Sequence, residues 1–311
     1  MPDVMDSARW SGAIHVLPSG SHRARVFAKC HTWSCRMSAF DILLYLQHID
    51  MHTPASRAAQ ALATRLGARL DGLFVADLPA AAFSLPEAVP AQLEETRRRC
   101  VEAEEHGGEW HGWLAGAGIA GAWRVAQGDT VQTVCQAAAG YDLLVMERSQ
   151  QRSDAPVGFG TVSRCVFGSD RPVLVVPDIA TIDTVGSRAV VAWNGSRESA
   201  LALAAAVPVL QRADDVLVID GSEMYADALA VLPPPGLADW LQRHGIRARI
   251  QALDAGPSHA AGPLLLDAAH AHRADLLVMG AWSRSRLAQM VLGGTTRHLF
   301  MHGDLPMLVA H

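Results

Sequence analysis

The sequence predicts an α/β protein made of two tandem five-stranded, parallel, doubly wound units. Three observations predict it. Asp142-Leu143-Leu144-Val145-Met146 recurs letter for letter as Asp275-Leu276-Leu277-Val278-Met279, 133 residues further on. The same offset relates Gly160-Thr161-Val162-Ser163-Arg164 to Gly293-Gly294-Thr295-Thr296-Arg297, and each is followed by an apolar strand, at 171–176 and 305–310. Along the whole chain, short Val/Ile/Leu runs without polar alternation are separated by Ala-rich amphipathic stretches. Strands that are apolar throughout belong to a sheet buried on both faces, and their alternation with helices is that of a parallel, doubly wound sheet. A period this long exceeds the ~20–50 residues of a solenoid repeat and indicates a duplicated domain.

Taken in order, the first unit has predicted strands at 41–47, 70–75, 119–126, 142–146 and 172–176. Helices are expected at 56–67, 90–106 and 129–139, with a shorter one near 161–168. The second unit has strands at 188–193, 215–220, 246–251, 275–279 and 306–310, separated by helices at 197–211, 236–244, 259–272 and 295–302. Pro208 lies inside the first of these helices and is expected to kink it or end it early. The domain boundaries follow: an N-terminal extension at 1–37, a first and degenerate unit at 38–180, a linker at 178–183 and a second unit at 184–311. The extension mixes Gly, Ser, Arg and Trp without periodicity and lacks the apolar core of a secretory signal. It is read as disordered, or as a stretch upstream of a start at Met37.

Composition narrows the function. The 311 residues are 50% hydrophobic and 18% charged, a globular composition. A formal net charge of −5 argues against a broad nucleic-acid surface, which needs clustered Lys and Arg. No run of about 18 uncharged apolar residues suggests a membrane span. Lys29 is the only lysine among 26 basic residues, so the main body of the chain has no GxxxxGK phosphate loop. Five cysteines without regular pairing imply free thiols, a reducing compartment and a cytoplasmic protein. Cys30, His31 and Cys35 lack a second ligand pair, and no structural metal is expected. The 14 histidines are read as surface or turn residues: His270 and His272 fall on different faces of a helix, and His106 and His111 flank a Gly-rich break. Glu94 to Glu105 reads as the solvated face of one helix. The Pro- and Ala-rich connection at 77–90 is a cover for a cleft or a partner contact.

In open α/β sheets ligands sit beyond the carboxyl ends of the strands, near the point where strand order reverses. In the second unit the first strand ends at Trp193 and runs into Asn194-Gly195-Ser196-Arg197-Glu198, where Asn194 or Ser196 can cap a helix and Asn194 is a ligand candidate. The fourth strand runs into Gly280-Ala281-Trp282-Ser283-Arg284-Ser285-Arg286, and Gly293-Gly294-Thr295-Thr296 opens the last helix. Glycines let a backbone approach a ligand closely, and a helix start presents free N–H groups that attract phosphate. Arg284, Arg286 and Arg297 could add charge-assisted hydrogen bonds. A glycine turn followed by an ordinary N-cap explains the same residues without any ligand.

The spacing Gly280-x2-Ser283-x9-Gly293-Gly294-Thr295 resembles the universal stress protein signature G-x2-G-x9-G-[S/T], and Val190-Val191-Ala192-Trp193-Asn194-Gly195-Ser196 resembles that family's first strand and turn. The resemblance covers residues 38–311 and is specific in the second unit. It implies a sheet of strand order 3-2-1-4-5, an adenine nucleotide alpha hydrolase-like fold. By the same resemblance, ATP or a related adenine nucleotide, with Mg2+, would be bound through Gly280, Ser283, Gly293, Gly294, Thr295 and Thr296. Asn194 would stand in the family's acidic ribose position, and Ile219 with Asp220 at the end of the second strand. Ser283 replaces the signature's second glycine, and Asn194 replaces a carboxylate. The first unit departs further, with Glu147 where Gly280 stands and Gln47 in the first-strand position. A carboxylate at the mouth of a phosphate site repels polyphosphate, so this unit is expected to bind no ATP and to serve as the pseudo-symmetric partner of the second. Association of two chains into a homodimer is left open. The expected role is a non-catalytic stress-response or regulatory module. A nucleotide-free interaction scaffold is the alternative, and a slow ATP-hydrolysing enzyme ranks last because neither paired carboxylates nor an activated nucleophile is evident.

Overall fold

The computed structural model describes residues 40–78, 89–149, 160–222, 236–253, 261–281 and 294–311. The first half contains β1 (Asp41–Leu46), α1 (Pro54–Leu66), β2 (Arg69–Asp77), α2 (Val89–Glu105), α3 (Gly107–Gly116), β3 (Trp123–Gly128), α4 (Thr130–Ala138), β4 (Leu143–Arg148), α5 (Thr161–Gly168) and β5 (Val173–Pro177). The second contains β6 (Arg188–Trp193), α6 (Arg197–Leu210), β7 (Asp215–Asp220), α7 (Leu237–Arg243), β8 (Ala248–Ala252), α8 (Ala261–Ala271), β9 (Leu276–Gly280), α9 (Gly294–His302) and β10 (Met307–Ala310). Residues 1–37 and the 79–88 stretch of the Pro- and Ala-rich connection lie outside the described residues.

Ten strands form one sheet in the order β3-β2-β1-β4-β5-β10-β9-β6-β7-β8. Each half has the order 3-2-1-4-5 and is parallel throughout. The halves join edge to edge where β5 and β10 pair antiparallel, Leu174 opposite Leu308. The carboxyl edges of the two halves therefore point in opposite directions. The join leaves no exposed strand edge at the repeat boundary, which would otherwise be a site for unwanted pairing.

Helices cover both faces. One face carries α1, α3, α6 and α7 over Ile42, Leu44, Val145, Val191, Val218 and Val278. The opposite face carries α4, α5, α8 and α9 over Leu43, Val75, Met146, Val190, Ile219 and Met279. Odd and even strand residues thus feed two separate cores, as the period-2 geometry of a strand requires. The 178–183 linker is tied in as well, since Ala180 and Ile182 are buried in the first core.

Helix ends follow local chemistry, repeated in both halves. Thr53 caps α1 by accepting from the Ser56 N–H at 3.1 Å, and Ser196 caps α6 by accepting from the Ser199 N–H at 3.1 Å. Three sequence expectations change. The Gly-rich break around His106 and His111 is the helix α3, because buried Trp110 and Leu114, four residues apart, anchor it. Strand β3 consequently begins at Trp123, later than the expected 119. Pro208 does not end α6, which continues through Leu210 with Val209 and Leu210 buried beneath its last turn.

The first half contains a polar cluster that the sequence reading passed over. Asp71, 1% exposed, accepts from the Tyr141 hydroxyl at 2.7 Å, the Ala122 N–H and Arg69 Nε at 2.8 Å each, and Arg124 Nε at 3.2 Å. Burial alone would raise its carboxyl, but the bonds from Tyr141, Ala122 and Arg69 outweigh it and hold the group below the ordinary carboxylate range. Gly72 beside it has no Cβ because Trp110 and Trp123 lie against the strand there, 2.9 Å from where one would be. Cys100, Cys135 and Cys165 are free thiols, and burial pushes all three thiols up, away from reactive thiolate.

Candidate functional site at the carboxyl edge of the C-terminal half

The point where strand order reverses in the second half lies between β6 and β9, whose carboxyl ends carry Trp193 and Gly280. After β6 the chain makes a tight turn in which the Ser196 N–H donates to Asn194 Oδ1 at 3.1 Å, with Gly195 at φ +74°. That left-handed conformation favours glycine. The oxygen of Asn194, read as a ligand candidate, is thus directed into its own turn. At the end of β7 the Gly221 N–H donates to Trp193 O at 2.8 Å, and the Ser222 N–H donates to Asp220 Oδ1 at 2.9 Å. The first of these bonds ties the ends of the first two strands together. Ile219 is 2% exposed and belongs to the core rather than to an open surface.

Gly280 has a use of its own. A Cβ placed on it would lie 2.4 Å from the Ser199 amide nitrogen and 2.5 Å from the Glu198 carbonyl carbon. The first turn of α6 therefore packs directly on the end of β9, and the space a side chain would take is filled by helix rather than left for a ligand. Ala281, next along, has its N–H bonded to Ala310 O at 2.8 Å and its carbonyl 3.2 Å from His311 Nδ1.

Gly294, Thr295 and Thr296 form the first turn of α9. A Cβ on Gly294 would meet nothing within 4 Å, so that position faces open space. Among the described residues none accepts a hydrogen bond from the three amides of this turn. Thr296 is 4% exposed and sits in the core like its repeat counterpart Ser163, which leaves Thr295 as the half-exposed hydroxyl. Arg297 is exposed beside it. Ser283 and Gly293, with Arg284 and Arg286, lie outside the described residues.

Strand register pairs the two halves residue by residue. Tyr45 lies opposite Met146 of the repeated pentapeptide, and Ala192 lies opposite Met279. Tyr45 and Ala192 are thus equivalent, and both point to the face that carries the last helix of their half. In the first half the Tyr45 ring fills this position. Its phenol lies near Thr130, Cys165 and Asp77, and burial first, then the neighbouring Cys165 and Asp77, pushes it up to about 12. In the second half only the methyl of Ala192 stands there. On the opposite face, Glu147 replaces Gly280 and Ala55 replaces Glu198. The Ala55 N–H at the start of α1 donates to Glu147 Oε2 at 3.4 Å, so the first half supplies its own anion to a helix start. The contrast between Tyr45 and Ala192 was missed from sequence, although aligning the two first strands from the shared pentapeptide would have exposed it.

Surface hollows of about 480 Å3, between α7 and β8, and about 410 Å3, between α1 and residues 182–185, lie elsewhere and touch none of the candidate residues. Among the described residues no group of three or more His, Cys, Asp or Glu is placed to hold a metal, and no helix is long and apolar enough to cross a membrane.

This architecture defines a class: doubly wound α/β proteins whose strand order reverses between the first and fourth strands of each sheet half. Residues 187–311 match the model of the universal stress protein family. Solved structures extend the fold to both halves. A universal stress protein from Archaeoglobus fulgidus DSM 4304 matches at TM-score 0.64 and 18% identity, covering 87% of this chain and 95% of that one. A putative universal stress protein from Pseudomonas aeruginosa UCBPP-PA14 matches at TM-score 0.54 and 16% identity, covering 88% and 93%. A functionally unknown protein from Pseudomonas aeruginosa PAO1 matches at TM-score 0.53 and 15% identity, covering 88% and 92%. At these identities the likeness is one of fold. A search of curated protein sequences finds no match to the chain.

Proposed function

We propose that the C-terminal half binds ATP or a related adenine nucleotide at its carboxyl edge, as a non-catalytic stress-response or regulatory module. The observation that carries this reading is the first turn of α9: Gly294 faces open space and Thr295 is half-exposed, while on the same face of the sheet the small side chain of Ala192 stands where the first half has Tyr45. Free amides at a helix start stabilise phosphate without a lysine, and Arg297 adds a cation nearby. Mg2+ would arrive with the triphosphate and bind its oxygens, as it commonly does. The N-terminal half binds no nucleotide in this reading, because Tyr45 and Glu147 occupy the corresponding positions with the protein's own groups.

Titration calorimetry of the full chain with ATP and AMP tests the proposal. Gly294→Val is the informative variant, since its side chain enters open space and leaves the packing intact. Saturable binding of one nucleotide, lost in Gly294→Val while thermal unfolding is unchanged, supports the reading. A specific observation favours a second one: the Asn194 oxygen and the space at Gly280 are both taken up internally. Absence of binding by wild type would leave a nucleotide-free interaction scaffold. Turnover of bound ATP above the buffer rate would make the protein a slow hydrolase.

A further inference from the structure

Helix α9 carries a group of soft and borderline metal ligands that the nucleotide site does not use. His298, Met301 and His302 are spaced i, i+3 and i+4, which places all three on one side of the helix. The two imidazole rings are tilted 44° to one another with centroids 4.5 Å apart, which puts both on one patch of the helix surface. Among the described residues no hydrogen bond to a nitrogen of either ring is present. His298 is also held in place. A Cβ on Gly262 of α8 would lie 2.7 Å from His298 Cβ and 3.0 Å from its Cγ and Cδ2, so α8 presses directly on the ring.

Met301 is the unusual member. It is 43% exposed, in a region where large apolar side chains are otherwise buried, as Leu299 and Phe300 show. Its thioether is presented to solvent on the same side of the helix as the two imidazoles. Imidazole alone suits zinc, nickel and copper, whereas a thioether donor selects copper in its monovalent state.

We propose that His298, Met301 and His302 form a surface site for monovalent copper, with two nitrogens and one sulfur from a single helix face. Loading exchanges bound water or buffer for these donors and moves no proton from a neutral ring. The proposal is independent of nucleotide binding, because it uses a face of α9 one or two turns beyond the amides at its start.

Free thiols elsewhere in the chain will also take Cu(I), so the test must read the site itself. The full chain, labelled with 13C at the methionine methyls, is titrated anaerobically with Cu(I) held reduced by ascorbate. The Met301 methyl signal is assigned by its disappearance in Met301→Leu. The expected result is a saturable shift of that signal, together with the ring protons of His298 and His302, and its abolition in His302→Ala. Competition with a chromogenic Cu(I) chelator should show one fewer equivalent bound in both variants. Losing an outer-shell partner alone weakens metal sites about 10–100-fold, so loss of a direct ligand should weaken this site at least tenfold. Met301 and His302 are exposed, so neither substitution should alter thermal unfolding. A Met301 methyl that stays in place after the thiols are saturated overturns the proposal, as does unchanged stoichiometry in both variants.

Discussion

The two halves of this sheet share a topology and a pentapeptide, yet their carboxyl edges are finished in opposite ways. In the N-terminal half, Tyr45 fills one face and the Glu147 carboxylate turns to the start of α1. In the C-terminal half the equivalent positions are Ala192 and Gly280, and the acidic residue has moved from the strand to the helix as Glu198. Each half therefore keeps one carboxylate near its first helix start, but takes it from opposite elements. The lesson is that two copies of one fold can finish the same edge with different groups while the scaffold around it stays unchanged. The N-terminal half is more than a remnant: β5 pairs with β10 and closes an edge that the second half would otherwise expose.

Substitutions can break or sharpen this contrast, and the largest effect is expected at Asp71. Strand register places a leucine, Leu217, at the equivalent position in the C-terminal half, so the buried carboxylate belongs to the first half alone. Asp71→Ala leaves Tyr141, Arg69, Arg124 and the Ala122 N–H without their acceptor, and should cost about 2–4 kcal/mol in chemical denaturation, since both arginines stay half-exposed. The same group sets an acid limit. Its folded carboxyl lies below the ordinary value, so its contribution is fully present above the unfolded value near 3.8 and is lost as pH falls through the folded value. Wild type should therefore lose stability below about pH 4 more steeply than Asp71→Asn does, measured by urea midpoints across pH 2–6.

Next in size is Gly280→Ala. The added methyl meets the Ser199 and Glu198 backbone and should cost roughly 1–3 kcal/mol. Glu147→Ala, at the matching site of the other half, removes a single 3.4 Å contact and should cost less than about 1 kcal/mol. If the two substitutions were equally costly, the proposed difference between the edges would not hold. Tyr45→Phe should cost about 1 kcal/mol by removing the phenol beside Thr130, while leaving the ring in place. The smallest contrast is at the helix caps. Thr53→Ala and Ser196→Ala should each cost about 1 kcal/mol, because both halves cap their first helix with the same bond length. Thermal midpoints for the pair should agree closely.

Much of the fold was legible because both faces of the sheet are buried. Arg188–Trp193 and Asp215–Asp220 were read to the residue, since uninterrupted Val, Ile and Leu between charged ends leave little freedom. Helix α3 was not legible, because Gly107, Gly108, Gly112 and Gly116 lower its local propensity and only Trp110 and Leu114 packing into the core sustains it. The edge-to-edge join of β5 and β10 was likewise beyond a local reading, since strand pairing is set by contacts distant in sequence. At the site, sequence placed Gly280 in a phosphate loop, and the structure shows that a side chain there would meet the first turn of α6. Asn194 and Thr296 carry suitable polar groups by type, yet one is bonded within its own turn and the other is buried. Residue type indicates chemistry, and only packing shows whether that chemistry faces outward.

The most direct measurement is calorimetric titration of the full chain with ATP, run in parallel on wild type and Gly294→Val. The account predicts a single saturable site in wild type and its loss in the variant, with unfolding temperature unchanged. Equal binding by both proteins, or binding by neither, would contradict it.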